Sequence, residues 1–136
     1  LSYKVRSSIE DLKTAIKTAD YFVDNLPDDF IPYWDFKAPK IPDESRDSSA
    51  AATAASGLLE LSSFMKDKKL KEKYRDAALK IIYSLCSPEY LTEGTDNPSI
   101  LRQATGAQST ELEKNNSLIH GEYYFLEALL RYKRGI

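Results

Sequence analysis

Cysteine, histidine, methionine and tryptophan each occur once in the 136 residues. Cys86 has no partner for an internal disulfide, and its position predicts a small buried filler near a helix end. With His120 as the only histidine, a transition-metal site of the usual ligand types is not expected, and nothing else in the chain calls for a cofactor. No apolar run approaches the ~20 residues needed to cross a bilayer, and the first residues lack a signal-peptide pattern. The expectation is a soluble chain with no membrane partner, cytoplasmic or periplasmic. Charge of one sign is also missing: 19 basic against 21 acidic residues leave a net charge of −2, so no broad field would recruit nucleic acid.

The length allows one domain with a modest core. The chain begins with Leu1 rather than Met, and residues 1–6 read as the end of a helix whose body lies outside the sequence, so residues 1–136 are expected to be a single partial domain. Four helices follow from periodicity. The first starts at Ser7 or Ser8, with Asp11 placed as in a capping box, and carries Ile9, Leu12, Ile16, Ala19, Phe22, Val23 and Leu26 on one face before Pro27 stops it. The second, from about Ser48 to Met65, is small and apolar from Ala50 to Leu59 apart from Thr53 and Ser56. It must be enclosed on most sides, with Gly57 as a point of close helix approach.

Asp67 caps the third helix, which runs to about Leu85 with one apolar stripe through Leu70, Tyr74, Ala77, Ala78, Ile81 and Leu85. Residues 88–115 lack periodicity, apart from a candidate turn of helix at residues 99–103. The last helix starts near Asn116 or Ser117, is apolar or aromatic around much of its girth, and ends at Gly135. Half-wet, dry, half-wet and dry helices in alternation predict an all-α fold of stacked antiparallel helical hairpins, with inner and outer layers. Such hairpins put the long segments 26–46 and 88–115 at one end of the scaffold, where a binding site is expected.

The stretch around which the chain is organised is FIPYWDFKAPKIPDESRDSSAAATAASGLLEL, residues 30–61. Pro32, Pro39 and Pro42 exclude helix interior and central strand from its first half. Phe30, Tyr33, Trp34 and Phe36 then either pin the loop to the body or line a cleft. At the join with the helix, Asp47, Ser48 or Ser49 offers a side-chain oxygen to free N–H groups, and Arg46 beside a helix N-terminus suits an anionic, flat-faced ligand. The alternative for Arg46-Asp47 is a local ion pair plus a helix cap.

Tyr33-Trp34-Asp35-Phe36, Ala38-Pro39, Ile41-Pro42-Asp43, the run from Arg46 to Ala52 and the run SLIHGEYYFLEALLR from Ser117 to Arg131 resemble the C-terminal part of the unsaturated glucuronyl hydrolases, glycoside hydrolase family 88. The resemblance covers essentially the whole chain in order. It implies an (α/α)6 toroid, of which this chain is the C-terminal third. It also implies a parent enzyme that hydrates the double bond of unsaturated uronic acids at the non-reducing end of lyase-generated oligosaccharides. The family's catalytic Asp residues lie upstream of the matched segment, so no catalytic residue is assigned here and the chain alone is expected to be inactive. Tyr33, Trp34, Arg46, Asp47, Ser48, His120 and Tyr123 are the substrate-binding candidates the resemblance implies, the Arg46 to Ser48 group in supporting roles.

Two residues depart from the family pattern: His120 stands where members often carry Tyr, and Glu122 where they carry Asp. Glu111 and Glu113 make the preceding loop acidic, which favours a weakly sulfated or unsulfated substrate. The competing expectation is a stand-alone helical module that holds a glycan or peptide without turnover. A segment of a ring must also expose apolar flanks, so the isolated chain is expected to self-associate.

Overall fold

The structure, a computed structural model, describes residues 8–106 and 116–136. The expectations for residues 1–6 and for Glu111 and Glu113 lie outside the described residues. Among the described residues there are four helices: α1 (Ile9–Asp24), α2 (Ser48–Phe64), α3 (Lys68–Leu85) and α4 (Ile119–Lys133). Among the described residues there is no strand, only three isolated antiparallel bridges, and the all-α expectation holds.

Three of the four starts are set by the residues expected to cap them. Ser8 accepts from the Asp11 N–H at 3.4 Å, Asp67 from the Leu70 N–H at 2.9 Å, and Asp47 from the N–H groups of Ser49 and Ala50 at 3.0 and 3.2 Å. The capping box of α1 is only half made, because Oδ2 of Asp11 is buried without a hydrogen-bond partner. The fourth helix starts later than expected. Asn116 is drawn into a bridge with Ala104, through N–H to carbonyl bonds of 3.1 and 2.7 Å, and Ser117 donates to Glu122 at 2.6 Å, so the first helical residue is Ile119.

α2 is the centre of the molecule. It packs along α3 on one side and α4 on the other, while α3 and α4 barely meet, nor do α1 and α2. Ala51, Ala52, Ala55 and Leu59 are fully buried in that sandwich, with Tyr74, Ile81 and Leu85 from α3 and Phe125 and Ala128 from α4. The close approach comes from a different glycine than expected. A Cβ on Gly121 would lie 2.7 Å from Cβ and 2.9 Å from Cα of Ser49, whereas one on Gly57 would meet nothing within 4 Å. Gly57 instead lines a groove of about 460 Å³ between α1 and α2, walled by Leu12, Ala15, Phe22, Ala54, Leu58 and Phe64.

Side-chain hydrogen bonds tie α1 to α3. Lys73 bonds Asp20 at 2.8 Å and Asp24 at 3.2 Å, and the Tyr74 hydroxyl donates to Asp20 at 3.0 Å. α2 and α4 are tied by a charged cluster at the far end from the long loops. Arg131 donates to the Ser56 carbonyl at 2.6 Å and pairs with Glu60 at 3.3 Å and Glu127 at 3.5 Å, while Ser56 Oγ donates to Glu127. The contacts of Ser49 with Gly121 and of Ser56 with Glu127 and Arg131 set the two inner helices parallel.

Three further expectations are corrected. Cys86 is exposed, because it sits at the C-cap of α3 where the chain leaves the body. Residues 99–103 form no helical turn, because Leu101 bridges to Leu91 and the Arg102 N–H bonds the Tyr90 carbonyl at 2.9 Å. α4 is not enclosed: Gly121, Phe125 and Ala128 are buried, but Ile119 is 86% exposed, Tyr123 61%, Leu126 47% and Leu130 52%. Among the described residues no helix is long and apolar enough to cross a membrane.

Candidate functional site

The two long loops meet at the N-terminal ends of α2 and α4, and Asp47 is the knot. Its Oδ1 takes the Ser49 and Ala50 N–H groups, the Ser49 hydroxyl at 2.6 Å and the Thr105 N–H at 3.4 Å, the last from the second loop. Its own N–H bonds the Pro32 carbonyl at 2.9 Å in the first loop. Thr105 Oγ1 donates to the Arg46 carbonyl at 2.9 Å, and the Ser48 N–H to the Gln103 carbonyl at 3.0 Å. Gln103 takes a φ of +62° to present that carbonyl, a left-handed conformation that costs a non-glycine residue on the order of 1 kcal/mol.

Arg46 turns inward. Its guanidinium makes a two-pronged pair with Asp29, 3.1 Å on each side, donates to the Ile31 carbonyl at 2.5 Å, and lies 4.1 Å from the centroid of the Tyr33 ring. Asp29 is held in turn from α3 and the segment after it: Ser84 donates to its carbonyl at 2.5 Å and Tyr90 to its carboxylate at 3.2 Å. Burial raises the Tyr90 phenol well above its ordinary range, and the Asp29 carboxylate beside it acts in the same direction. Arg46 and Asp47 therefore spend their hydrogen bonds on the frame of the loops. Charge-assisted, two-pronged pairs of this kind fix geometry more firmly than single bonds.

Trp34 lies on the outer side of the same loop. Its backbone N–H bonds the Ser45 carbonyl at 3.0 Å, next to the Tyr33–Arg46 bridge, and Nε1 donates to Glu44 at 3.0 Å, leaving the ring 36% exposed. His120 and Tyr123 are exposed on the first turns of α4, on either side of the Gly121 that touches Ser49. Ser48 is fully buried at the first turn of α2, and its hydroxyl has no hydrogen-bond partner among the described residues. The structure thus brings Arg46, Asp47, Ser48, Tyr33 and Trp34 into one linked frame, and sets His120 and Tyr123 on the neighbouring helix end.

Sequence reasoning misses the residues that hold the frame. Asp29 is 17 positions from Arg46, and no local pattern signals their pairing. Thr105 and Tyr90 likewise act across the fold. Glu122 stands out in the sequence only as a departure from a motif, yet its Oε1 accepts from the Ile100 N–H at 2.8 Å and from Ser117 at 2.6 Å, tying the second loop to α4.

Paired inner and outer helices with their long loops gathered at one end define a segment of a helical toroid. No family model matches the chain. Among curated proteins, it is 39% identical to the unsaturated glucuronyl hydrolase of Formosa agariphila over 96% of its own length and 32% of that protein's. It is 33% identical to the unsaturated glucuronyl hydrolase of Bacillus sp. strain GL1, over 92% and 33% of the respective chains. Among solved structures, it superposes with a TM-score of 0.91 on an unsaturated glucuronyl hydrolase specific for heparin, at 37% identity over 98% of this chain and 36% of that one. It also superposes, with a TM-score of 0.89 and 26% identity, on a mutant of the Streptococcus agalactiae enzyme complexed with dGlcA-GalNAc6S, over 99% and 36% of the chains. The chain is homologous to a segment of the unsaturated glucuronyl hydrolases, whose fold is a helical toroid, and spans about a third of the length of the relatives it matches.

Proposed function

We propose that this chain is the C-terminal third of an unsaturated glucuronyl hydrolase, one partial domain of an (α/α)6 toroid. The complete enzyme hydrates unsaturated uronic acids at the non-reducing end of lyase-generated oligosaccharides. The observation that carries this reading is the match of nearly the whole chain, in sequence and in fold, to about a third of proteins of that name. The reaction protonates a vinyl-ether carbon and adds water next to it, which needs a carboxyl group tuned by a closed pocket. Arg46 and Asp47 are committed to the loop frame, which supports a positioning role for them and leaves the acid to a part of the enzyme outside this chain.

In this reading Trp34, His120 and Tyr123 contact the sugars, a flat ring suiting the C–H face of a pyranose and the other two its hydroxyls. Tyr33, Arg46, Asp47 and Ser48 hold the pocket edge. Alone, the chain is inactive and self-associates. The acidic pair Glu111 and Glu113 supports an unsulfated or weakly sulfated second sugar. The test is loss of the ultraviolet absorbance of an unsaturated glucuronyl disaccharide, with the 136-residue chain and a full-length parent side by side. Turnover by the parent alone is the expected result. Turnover by this chain, or none by a folded parent, would refute the reading.

A further inference from the structure

The loop that carries Tyr33 and Trp34 is fastened on two sides. Its far side is held by packing: the Phe36 ring meets Phe22 and Tyr21 of α1 edge to face, with centroids 5.5 and 6.0 Å apart, and Ala38 is buried. Its near side is held at Arg46, beside the bond from the Asp47 N–H to the Pro32 carbonyl. There the Tyr33–Arg46 bridge joins the two backbones, the Trp34 N–H bonds the Ser45 carbonyl, and the guanidinium lies against the Tyr33 ring. Tyr33 and Trp34 lie between these holds. Slackening the near one moves them while the far one keeps the loop folded.

The near hold ends at Asp29. Phe30 takes a φ of +62°, a left-handed conformation rare for a bulky residue, and the turn it makes brings both the Asp29 carboxylate and the Ile31 carbonyl to one guanidinium. The surroundings hold that turn from several sides. Ile31 is fully buried, the Phe30 ring packs on the core with the Lys80 ammonium 4.8 Å from its centroid, and Ser84 donates to the Asp29 carbonyl. The Tyr90 hydroxyl, donating at 3.2 Å, fixes one carboxylate oxygen, and the other takes the Ile31 N–H at 3.3 Å. Asp29 is thus placed by α3 and the segment after it, and its charge reaches the aromatic edge through Arg46.

We infer that Asp29 is a positioning residue for sugar binding: through its two-pronged pair with Arg46 it sets where Tyr33 and Trp34 meet the ligand. This rests on the proposed reading, in which Trp34 contacts the sugar and Tyr33 holds the pocket edge. A carboxylate suits the task better than a neutral acceptor, because a fork of two charge-assisted bonds fixes the guanidinium in plane and angle as well as in distance. The pair also satisfies the Arg46 charge from inside the protein, so this edge meets the ligand with aromatic rings and not with a free cation. Without the pair the edge samples several positions, and apparent affinity falls with the fraction of molecules that hold it in place.

The test compares kinetics and amide exchange in the full-length parent carrying Asp29→Asn, Arg46→Lys, or both. Asp29→Asn should raise KM for an unsaturated glucuronyl disaccharide about fivefold, as when about a fifth of the molecules keep the edge in place, with kcat near wild type. Because Asp29 acts through Arg46, the double variant should match the larger single effect instead of the product of the two. On the same proteins, amide exchange at Trp34, whose N–H bonds Ser45, should speed up about fivefold while that at Ala38, on the Phe36 side, keeps its wild-type rate. A KM within error of wild type, a loss confined to kcat, or multiplying effects in the double variant overturns the inference. So does unchanged exchange at Trp34, a readout that needs no turnover. Should Asp29→Asn fail to fold, Tyr90→Phe, which removes one bond to the same carboxylate, must show the same pattern in smaller size. A folded parent that turns over no disaccharide sinks the proposed activity, and the Trp34 exchange rate then decides the positioning role alone.

Discussion

The α2–α4 seam and the α1–α2 seam involve the same inner helix, yet one is closed along its length and the other is open. The difference lies in which positions are small. At the closed seam Gly121 lets the backbones of α4 and α2 approach until a Cβ would overlap Ser49, and a half-buried cluster of Ser56, Glu60, Glu127 and Arg131 locks the other end. At the open seam Gly57 and Ala54 face a groove, and the side-chain hydrogen bonds of α1 run to Lys73 and Tyr74 of α3. A glycine inside a helix thus marks close packing only when something is packed against it, a fact sequence alone does not contain.

The largest effect is expected at the closed seam. Gly121→Val must push α4 away from Ser49 backbone that cannot yield, and overpacking of this kind costs about 3 kcal/mol or more. The urea midpoint of the chain should fall sharply or the fold be lost. A midpoint within error of wild type would mean that α4 can slide along α2 without loss.

Second is the knot where the loops meet. Asp47→Ala removes a helix cap and the Thr105 bond together, at a cost of about 2 kcal/mol. Unlike the valine at 121, it should loosen the loops selectively. Amide exchange should speed up at Ser49, Ala50 and Thr105 before it does in α3. Equal acceleration throughout would show that the loops and the helix sandwich unfold as one unit.

At the open seam the sign reverses. Gly57→Ala adds a methyl that meets nothing within 4 Å and removes the backbone freedom of a mid-helix glycine. It should stabilise by roughly 0.5–1 kcal/mol. A loss of stability would mean that α1 closes onto α2 in solution.

These contrasts separate short-range signals from long-range ones. Helix number, the caps Ser8, Asp47 and Asp67, and the gathering of long loops at one end are legible in the sequence, because caps and periodicity are local features. The girth of apolar residues on α4 reads as an inner helix, and only its Gly121, Phe125 and Ala128 side is buried. Arg46 admits two readings. The structure gives it an ion pair, but with Asp29 rather than its neighbour Asp47, where Ser84 of α3 and Tyr90 of the segment after it hold Asp29 in place. Asn116 and Leu101 read as helical because their bridge partners, Ala104 and Leu91, are unremarkable in sequence. Residues whose roles depend on the other loop carry no local signal.

The smallest effect separates the α1–α3 contact from both seams through pH. The hydrogen bond from Lys73, aided by that from Tyr74 and opposed by burial, lowers the Asp20 pKa, while the hydrogen bond to Asp20 chiefly raises that of Lys73. A lowered carboxyl pKa contributes stability that is present above its unfolded value near 4 and lost as pH falls through the folded value. The raised Lys73 contributes below its unfolded value near 10.4 and is lost as pH rises through the folded one. Tyr74, pushed up to about 12 mainly by burial, contributes a further loss between about pH 10 and pH 12. Because Lys73 and Asp20 are more than a third exposed, salt screens the pair and the effect is small. Asp20→Asn should therefore flatten the acid arm of the stability profile below pH 4 and soften the alkaline arm, leaving the plateau between pH 5 and 9 only slightly lowered. An unchanged acid arm would show that the Asp20 pair, and so the α1–α3 contact, does not set the acid lability of the chain.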